Sequence, residues 1–247
     1  MSSLVTRTLK LRIKDRHAAL LQRMATQVNQ VWNFCNETSS RSIQERHTWL
    51  SGFDLQKYTK GFSKCDGVVI GSTTVQQVCE EYATRRKQFN KWKLRWRVSN
   101  PKSSKRHLGW IPFKSGAVVY SNGQLQFAGH RLGLWDSYGL SNYKLRAGNF
   151  NQDCRGRWYL NVVVQIPSVA SAGTRSVGMD LGVKTAVATS EGQKLEGHWY
   201  RDQEEALARA QRAKKKDRVR AIHAKIANQR KDALHKFSHA MVSQYGA

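Results

Sequence analysis

One carboxylate in an apolar setting is the sharpest chemical feature of the sequence. In Val177-Gly178-Met179-Asp180-Leu181-Gly182-Val183-Lys184-Thr185-Ala186-Val187-Ala188, Asp180 stands within a strand-like run, immediately before a glycine turn. Burying a lone carboxylate is costly unless it is paired or binds a cation. The glycines let backbone or substrate come close. The pattern suits an acid that holds a divalent metal at the head of a β-hairpin; it equally suits a strand-end Asp hydrogen-bonded to its own turn.

The remaining candidates are cations. Lys91-Trp92-Lys93-Leu94-Arg95-Trp96-Arg97 alternates charge with bulk. Read as the end of a helix, it sets Trp92 and Trp96 on one face, ringed by Lys91, Lys93, Arg95 and Arg97. That arrangement favours phosphate contact with stacking or cation–π support, or else a helix end whose indoles enter the core. Arg155-Gly156-Arg157 falls in an expected hairpin loop, where Arg155 and Arg157 either approach phosphate or form a solvated turn. The run Arg212–Arg220, with Lys214, Lys215 and Lys216, reads as a helix face against nucleic acid or solvent. His235 and His239 share a helical face, but Lys236 stands where a zinc protease motif needs Glu. Cys35, Cys65, Cys79 and Cys154 form no CxxC pair, which fits a reducing compartment and small hydrophobes, not a zinc site.

The charge says what these cations meet. The 247 residues carry 42 Lys+Arg against 17 Asp+Glu, a formal net charge of +25. The excess is spread along the whole chain, as a long contact with a phosphate backbone requires. The apolar runs are too short to span a bilayer, and no basic helix with a wide aromatic face suggests a membrane surface.

The elements that must position these residues change period along the chain. Val5, Arg7, Leu9, Leu11 and Ile13 alternate as a strand, with Lys10 and Arg12 among its basic outer partners. Helical spacing follows over 16–39, over Ser51–Lys60, and from Ser72-Thr73-Thr74 through Phe89 to Arg97, where Asn100-Pro101 ends it. From 105 the texture is β: strands at Trp110–Lys114, Ala117–Tyr120, Gln124–Ala128, Tyr143–Ala147 and Trp158–Ile166, with Ser121-Asn122-Gly123 as a hairpin turn. Pro167–Gly173 reads as a linker. Two strands over Ser176–Ser190, a possible third at Lys194–Trp199, and one long helix from about 203 to 241 capped by Asp202 complete the chain.

Four stretches together resemble the transposon-encoded TnpB (OrfB) family, relatives of the small type V CRISPR effectors. Gly178-Met179-Asp180-Leu181-Gly182-Val183-Lys184 is similar to the first RuvC motif of that family. Ile226–Lys236, with Arg230 and Lys231, is similar to the helix that follows it. Gly156–Val162 and Thr8–Arg12, the latter with a helix ending Val31-Trp32-Asn33-Phe34-Cys35-Asn36, extend the match to the N-terminal part.

The resemblance implies an α+β fold in which a wedge-type β-barrel (1–14 and 105–167) carries an inserted helical recognition domain (15–104). A linker (168–174) and a partial RNase H-like, RuvC module (175–247) follow. It implies a guide RNA from the transposon end, target DNA, and a cytoplasmic, nucleoid-associated setting in a bacterium or archaeon. It further implies Mg²⁺-dependent endonuclease chemistry with Asp180 as metal ligand and catalytic residue. The Glu and Asp of the second and third RuvC motifs, and the paired CxxC, have no counterpart in this sequence, and one carboxylate does not assemble a two-metal site. The expectation is therefore the front part of a nuclease, with a non-cleaving nucleic-acid-binding regulator and a decayed transposase remnant as alternatives.

Overall fold

The computed structural model describes residues 4–168 and 175–245, so most of the expected linker lies outside the described residues. The chain divides into two compact units, the second beginning after Pro167.

In the first unit, β1 (Leu4–Arg12) is followed by three helices, α1 (Ala18–Arg46), α2 (Gly52–Tyr58) and α3 (Ser72–Gln88). Six strands follow: β2 (Trp110–Phe113), β3 (Val118–Ser121), β4 (Gln124–Phe127), β5 (His130–Gly133), β6 (Gly148–Gln152) and β7 (Trp158–Pro167). They make two antiparallel sheets, ordered β1-β7-β6-β2 and β3-β4-β5. A single bridge between Ile13 and Leu134 ties the sheets at one end. The first sheet thus unites strands from both ends of the unit, and the helices lie between them in sequence.

Alternation along β1 does what the sequence pattern asks of it. Leu9, Leu11 and Ile13 are buried beside Leu160, Val162 and Val164 of β7, while Lys10 and Arg12 take the outer face. Phe113, Phe127 and Phe150, with ring centroids 5.0–5.9 Å apart, fill the space between the two sheets. Gly109 accommodates the buried Trp158 indole, because a Cβ there would collide with that ring. Helix α2 begins at a full capping box. Ser51 Oγ accepts from the Asp54 N–H at 3.1 Å, and the Asp54 carboxylate accepts from the Ser51 N–H at 3.1 Å.

Four expectations change. The third helix stops at Gln88, Asn90 takes a left-handed φ of 47°, and residues 91–98 run outside any helix or strand. The reason is a row of amides on α1. Asn36 donates to Leu94 O at 2.8 Å and accepts from Leu94 N at 2.9 Å. One turn earlier, Asn33 does the same for Arg97, at 2.9 Å and 2.8 Å. Asn29 donates to Ser99 Oγ at 2.9 Å. Side-chain amides replace the backbone ladder, so the segment needs no helix.

The strand expected at Tyr143–Ala147 is instead irregular chain after a 3₁₀ turn at Leu140–Asn142; Arg146 N–H and Ala147 O already bond to Val163 of β7, but the regular strand starts at Gly148. Asp136 imposes that turn by accepting the N–H groups of Tyr138, Gly139 and Leu140 at 2.8–3.1 Å.

The second unit holds a small sheet ordered β10-β9-β8, from β8 (Met179–Asp180), β9 (Thr185–Thr189) and β10 (Lys194–Glu196). The long helix expected after Asp202 is two: α4 (Glu204–Arg212) and α5 (Lys216–Tyr245), broken where Lys214 adopts φ 52°. Consecutive lysines 214–216 repel and stay exposed, while Leu207 and Ala210 of α4 pack on Ile222 of α5. Asp202 lies in a short 3₁₀ turn and makes no cap bond to α4, whose N-cap is Gln203.

Asn36 is fully buried and also accepts from Tyr82 OH at 3.0 Å. Asn36→Ala leaves the Leu94 backbone groups and the Tyr82 hydroxyl unpaired. It should lower the unfolding free energy of the first unit by about 3 kcal/mol, read as a drop in urea midpoint with unchanged m value.

Candidate nucleic-acid interface

The Lys91–Arg97 segment is presented as a ribbon along α1, so Trp92 and Trp96 do not share a helix face; each is about half exposed, at 47% and 45%. Lys91 and Arg95 are exposed. Lys93 is shared between Glu37, 3.6 Å from its Nζ, and the Trp96 ring, 5.0 Å away. Glu37 is held below the usual carboxylate range, chiefly by its hydrogen bond from Arg41 and further by Lys93.

Arg97 turns inward. Its Nε donates to Asn29 Oδ1 at 2.6 Å, and its guanidinium lies 5.7 Å from the Trp32 ring and 5.4 Å from the Trp110 ring. Burial lowers its pKa, and no carboxylate among the described residues compensates. The segment borders a cleft of about 540 Å³ lined by Trp32, Arg85, Phe89, Lys91, Lys93, Leu94, Arg95, Arg97 and His107, and by no acid.

The outer face of the first sheet gathers the other first-unit candidates. Lys10 Nζ lies 4.5 Å over the Tyr159 ring. Arg12 stacks 5.0 Å from Trp135 and is paired with Asp15 at 2.8 Å. Tyr159 OH donates to Asp153, and the Asp153 carboxylate also accepts the N–H groups of Arg155 and Arg157 at 2.9 Å each. One acid therefore shapes the loop that presents both arginines. Beside Lys10, Asn161 donates to Asn149 and Asn151 at 2.9 Å each, which makes the face a field of amides.

In the second unit, Lys214, Lys215 and Lys216 occupy the exposed break between α4 and α5, and Arg230 and Lys231 are exposed on α5.

Asp180 is exposed on the edge strand β8, pairing with Ala188 through backbone alone, and its neighbours Met179, Leu181 and Val183 are exposed too, Val183 almost wholly. The argument from a buried carboxylate therefore fails: the strand is too short and too open to desolvate it. Among the described residues no three His, Cys, Asp or Glu side chains converge on a point. A two-metal Mg²⁺ site does not fit the residues present.

Several contributors escaped the sequence reading. Asn29, Asn33 and Asn36 recur at i, i+4 and i+7, a spacing that marks one helical face. Tyr159 falls in an ordinary strand pattern, and Trp135, His107 and Phe89 carry no motif.

No protein-family model matches the chain. A Streptomyces pristinaespiralis protein named “Putative RNA-guided DNA endonuclease” is 26% identical over 251 residues, covering 93% of this chain and 62% of that protein. That likeness supports a relationship to the TnpB-like RNA-guided endonucleases. The match bears out the family resemblance read from the four motifs, and the chain spans less than two thirds of the length of the curated relative. A solved structure titled as a CRISPR-Cas12f ternary complex aligns with 93% of this chain and 61% of its own, at 10% identity and a TM-score of 0.38, too loose a likeness to carry an argument. No helix among the described residues is long and apolar enough to cross a membrane.

His107 closes the ribbon: its Nδ1 accepts from Val98 N at 3.0 Å, and burial, with Arg97 nearby, lowers its pKa. The unfolded chain therefore takes up the proton first. The stabilisation is complete above about pH 6.5 and is lost as pH falls through the folded value. The melting temperature should drop between pH 7.5 and 5.5. His107→Gln should shrink that drop without abolishing it, because His17 is shifted the same way.

Proposed function

We propose that the chain is the RNA- and DNA-gripping portion of a TnpB-type, transposon-associated RNA-guided DNA endonuclease. In this reading the two sheets of the first unit serve as the wedge-type domain and α1–α3 as the recognition domain. The second unit is the leading part of a RuvC-like module in which Asp180 is a metal ligand of the complete protein. The guide is an RNA from the transposon end, and base pairing between guide and target reads sequence while the protein grips backbone.

The observation that carries this is the acid-poor, aromatic-flanked set of cations in the first unit, at the ribbon and on the outer sheet face, in a chain related to a protein of that name. Surface cations beside half-exposed indoles bind a phosphate chain and its bases together. What the chain itself is proposed to do is bind; cleavage belongs to the complete protein.

The test is to co-express the chain with transposon-end RNA, purify the complex and measure DNA binding. The expected outcome is retention of that RNA and preference for DNA complementary to it. Affinity should fall about a thousandfold between 50 and 200 mM salt. Asp180→Ala should leave binding unchanged and abolish cleavage by the complete protein. Binding indifferent to both RNA and salt would overturn the proposal.

A further inference from the structure

Arg97 is a cation whose surroundings are incomplete. Its Nε is committed to Asn29, and its two terminal amino groups make no hydrogen bond among the described residues. Two indoles flank it at 5.7 and 5.4 Å, and no acid lines the cleft it faces. The guanidinium is half-buried, its terminal amino groups still reach solvent at the cleft, and an anionic ligand there would find their donors free of any protein partner among the described residues.

The next donor is already oriented. His107 Nδ1 accepts from Val98 N, which puts the ring proton on Nε2 of a residue lining the same cleft. Opposite in chemistry is Phe89, 58% exposed at the cleft wall, where the end of α3 leaves a large apolar ring in solvent. About 540 Å³ is enough for one nucleotide and too little for a stacked base pair.

We propose that this cleft takes a single unpaired nucleotide, its phosphate on Arg97 and His107 and its base against Phe89. This rests on the nucleic-acid reading above and goes beyond it: the ribbon is then a sensor of an extruded base and more than a general phosphate contact. Arg85, whose acidic partner among the described residues is Glu81 at 3.8 Å, and Lys91 and Arg95 supply the surrounding field. The neighbouring buried guanidinium, Arg86, is different. Two of its nitrogens are bound to Ser39 Oγ and to Leu50 O, so it serves the fold.

The probe is a short RNA duplex with one bulged 2-aminopurine, compared with the same duplex fully paired, and with DNA versions of both to identify the strand type. The full chain should bind a bulged duplex about tenfold more tightly than its paired counterpart, as one base–aromatic stack provides, with a change in 2-aminopurine fluorescence. Phe89→Ala, at an exposed ring, should erase that preference and the accompanying change in 2-aminopurine fluorescence. Arg97→Lys should weaken bulge binding in the same way. Equal binding of bulged and paired probes with steep salt dependence would overturn the nucleotide cleft and leave the broader reading standing. A preference that survives both substitutions would also overturn it. No binding of any probe at low salt would overturn both.

Discussion

The first unit depends on a substitution of one kind of hydrogen bond for another. Past Gln88 the chain gives up the helical ladder, and Asn33 and Asn36 of α1 supply the missing donors and acceptors, two bonds apiece, to Arg97 and Leu94. An amide side chain offers the same donor and acceptor pair as a peptide unit, so three asparagines on one face can hold a stretch of backbone beside a helix. The consequence for chemistry is direct. A helix would have wound Lys91–Arg97 round its own axis. The ribbon instead spreads these residues: Leu94 and Arg97 turn toward the protein, and Lys91, Trp92, Arg95 and Trp96 stay at the surface.

The same logic governs the sheet face, where Asp153 does for the Arg155–Arg157 loop what the asparagines do for the ribbon. In both places a polar side chain spends its capacity on backbone, and cations stand around it without a matching number of acids. The ion pairs that do exist in the first unit, such as Arg12–Asp15, Lys57–Asp54 and Lys114–Glu80, are partly exposed. Pairs of that kind contribute little to stability. The cationic excess is thus a property of the surface, and the core rests on apolar packing such as the Trp32–Tyr82 and Trp32–Trp110 edge contacts.

Much of the fold was legible because it follows period. Leu9, Leu11 and Ile13 alternate inward, Asn122-Gly123 makes the turn between β3 and β4, and the stripe Leu21, Met24, Val28, Val31 and Cys35 is buried along α1. What was not legible depends on partners distant in sequence. The end of α3 is decided by asparagines more than fifty residues upstream, and the missing strand at Tyr143–Ala147 by Asp136. Asp180 shows the converse: the local pattern Met179-Asp180-Leu181 reads as buried, but a two-residue edge strand leaves all three in solvent. Arg97 was legible as a cation near aromatics, and only the fold shows that it is bound to Asn29 and lines a cleft.

Residue-resolved hydrogen exchange over 89–98, free and bound to nucleic acid, tests the account most directly. In the free protein the amides of Leu94 and Arg97 should exchange slowly, because Asn36 and Asn33 hold them, while those of Lys93, Arg95 and Trp96 exchange fast. On binding, the fast amides should slow as well. Uniform protection from Lys91 to Arg97 in the free protein, as a helix would give, or no response of the segment to nucleic acid, would contradict it.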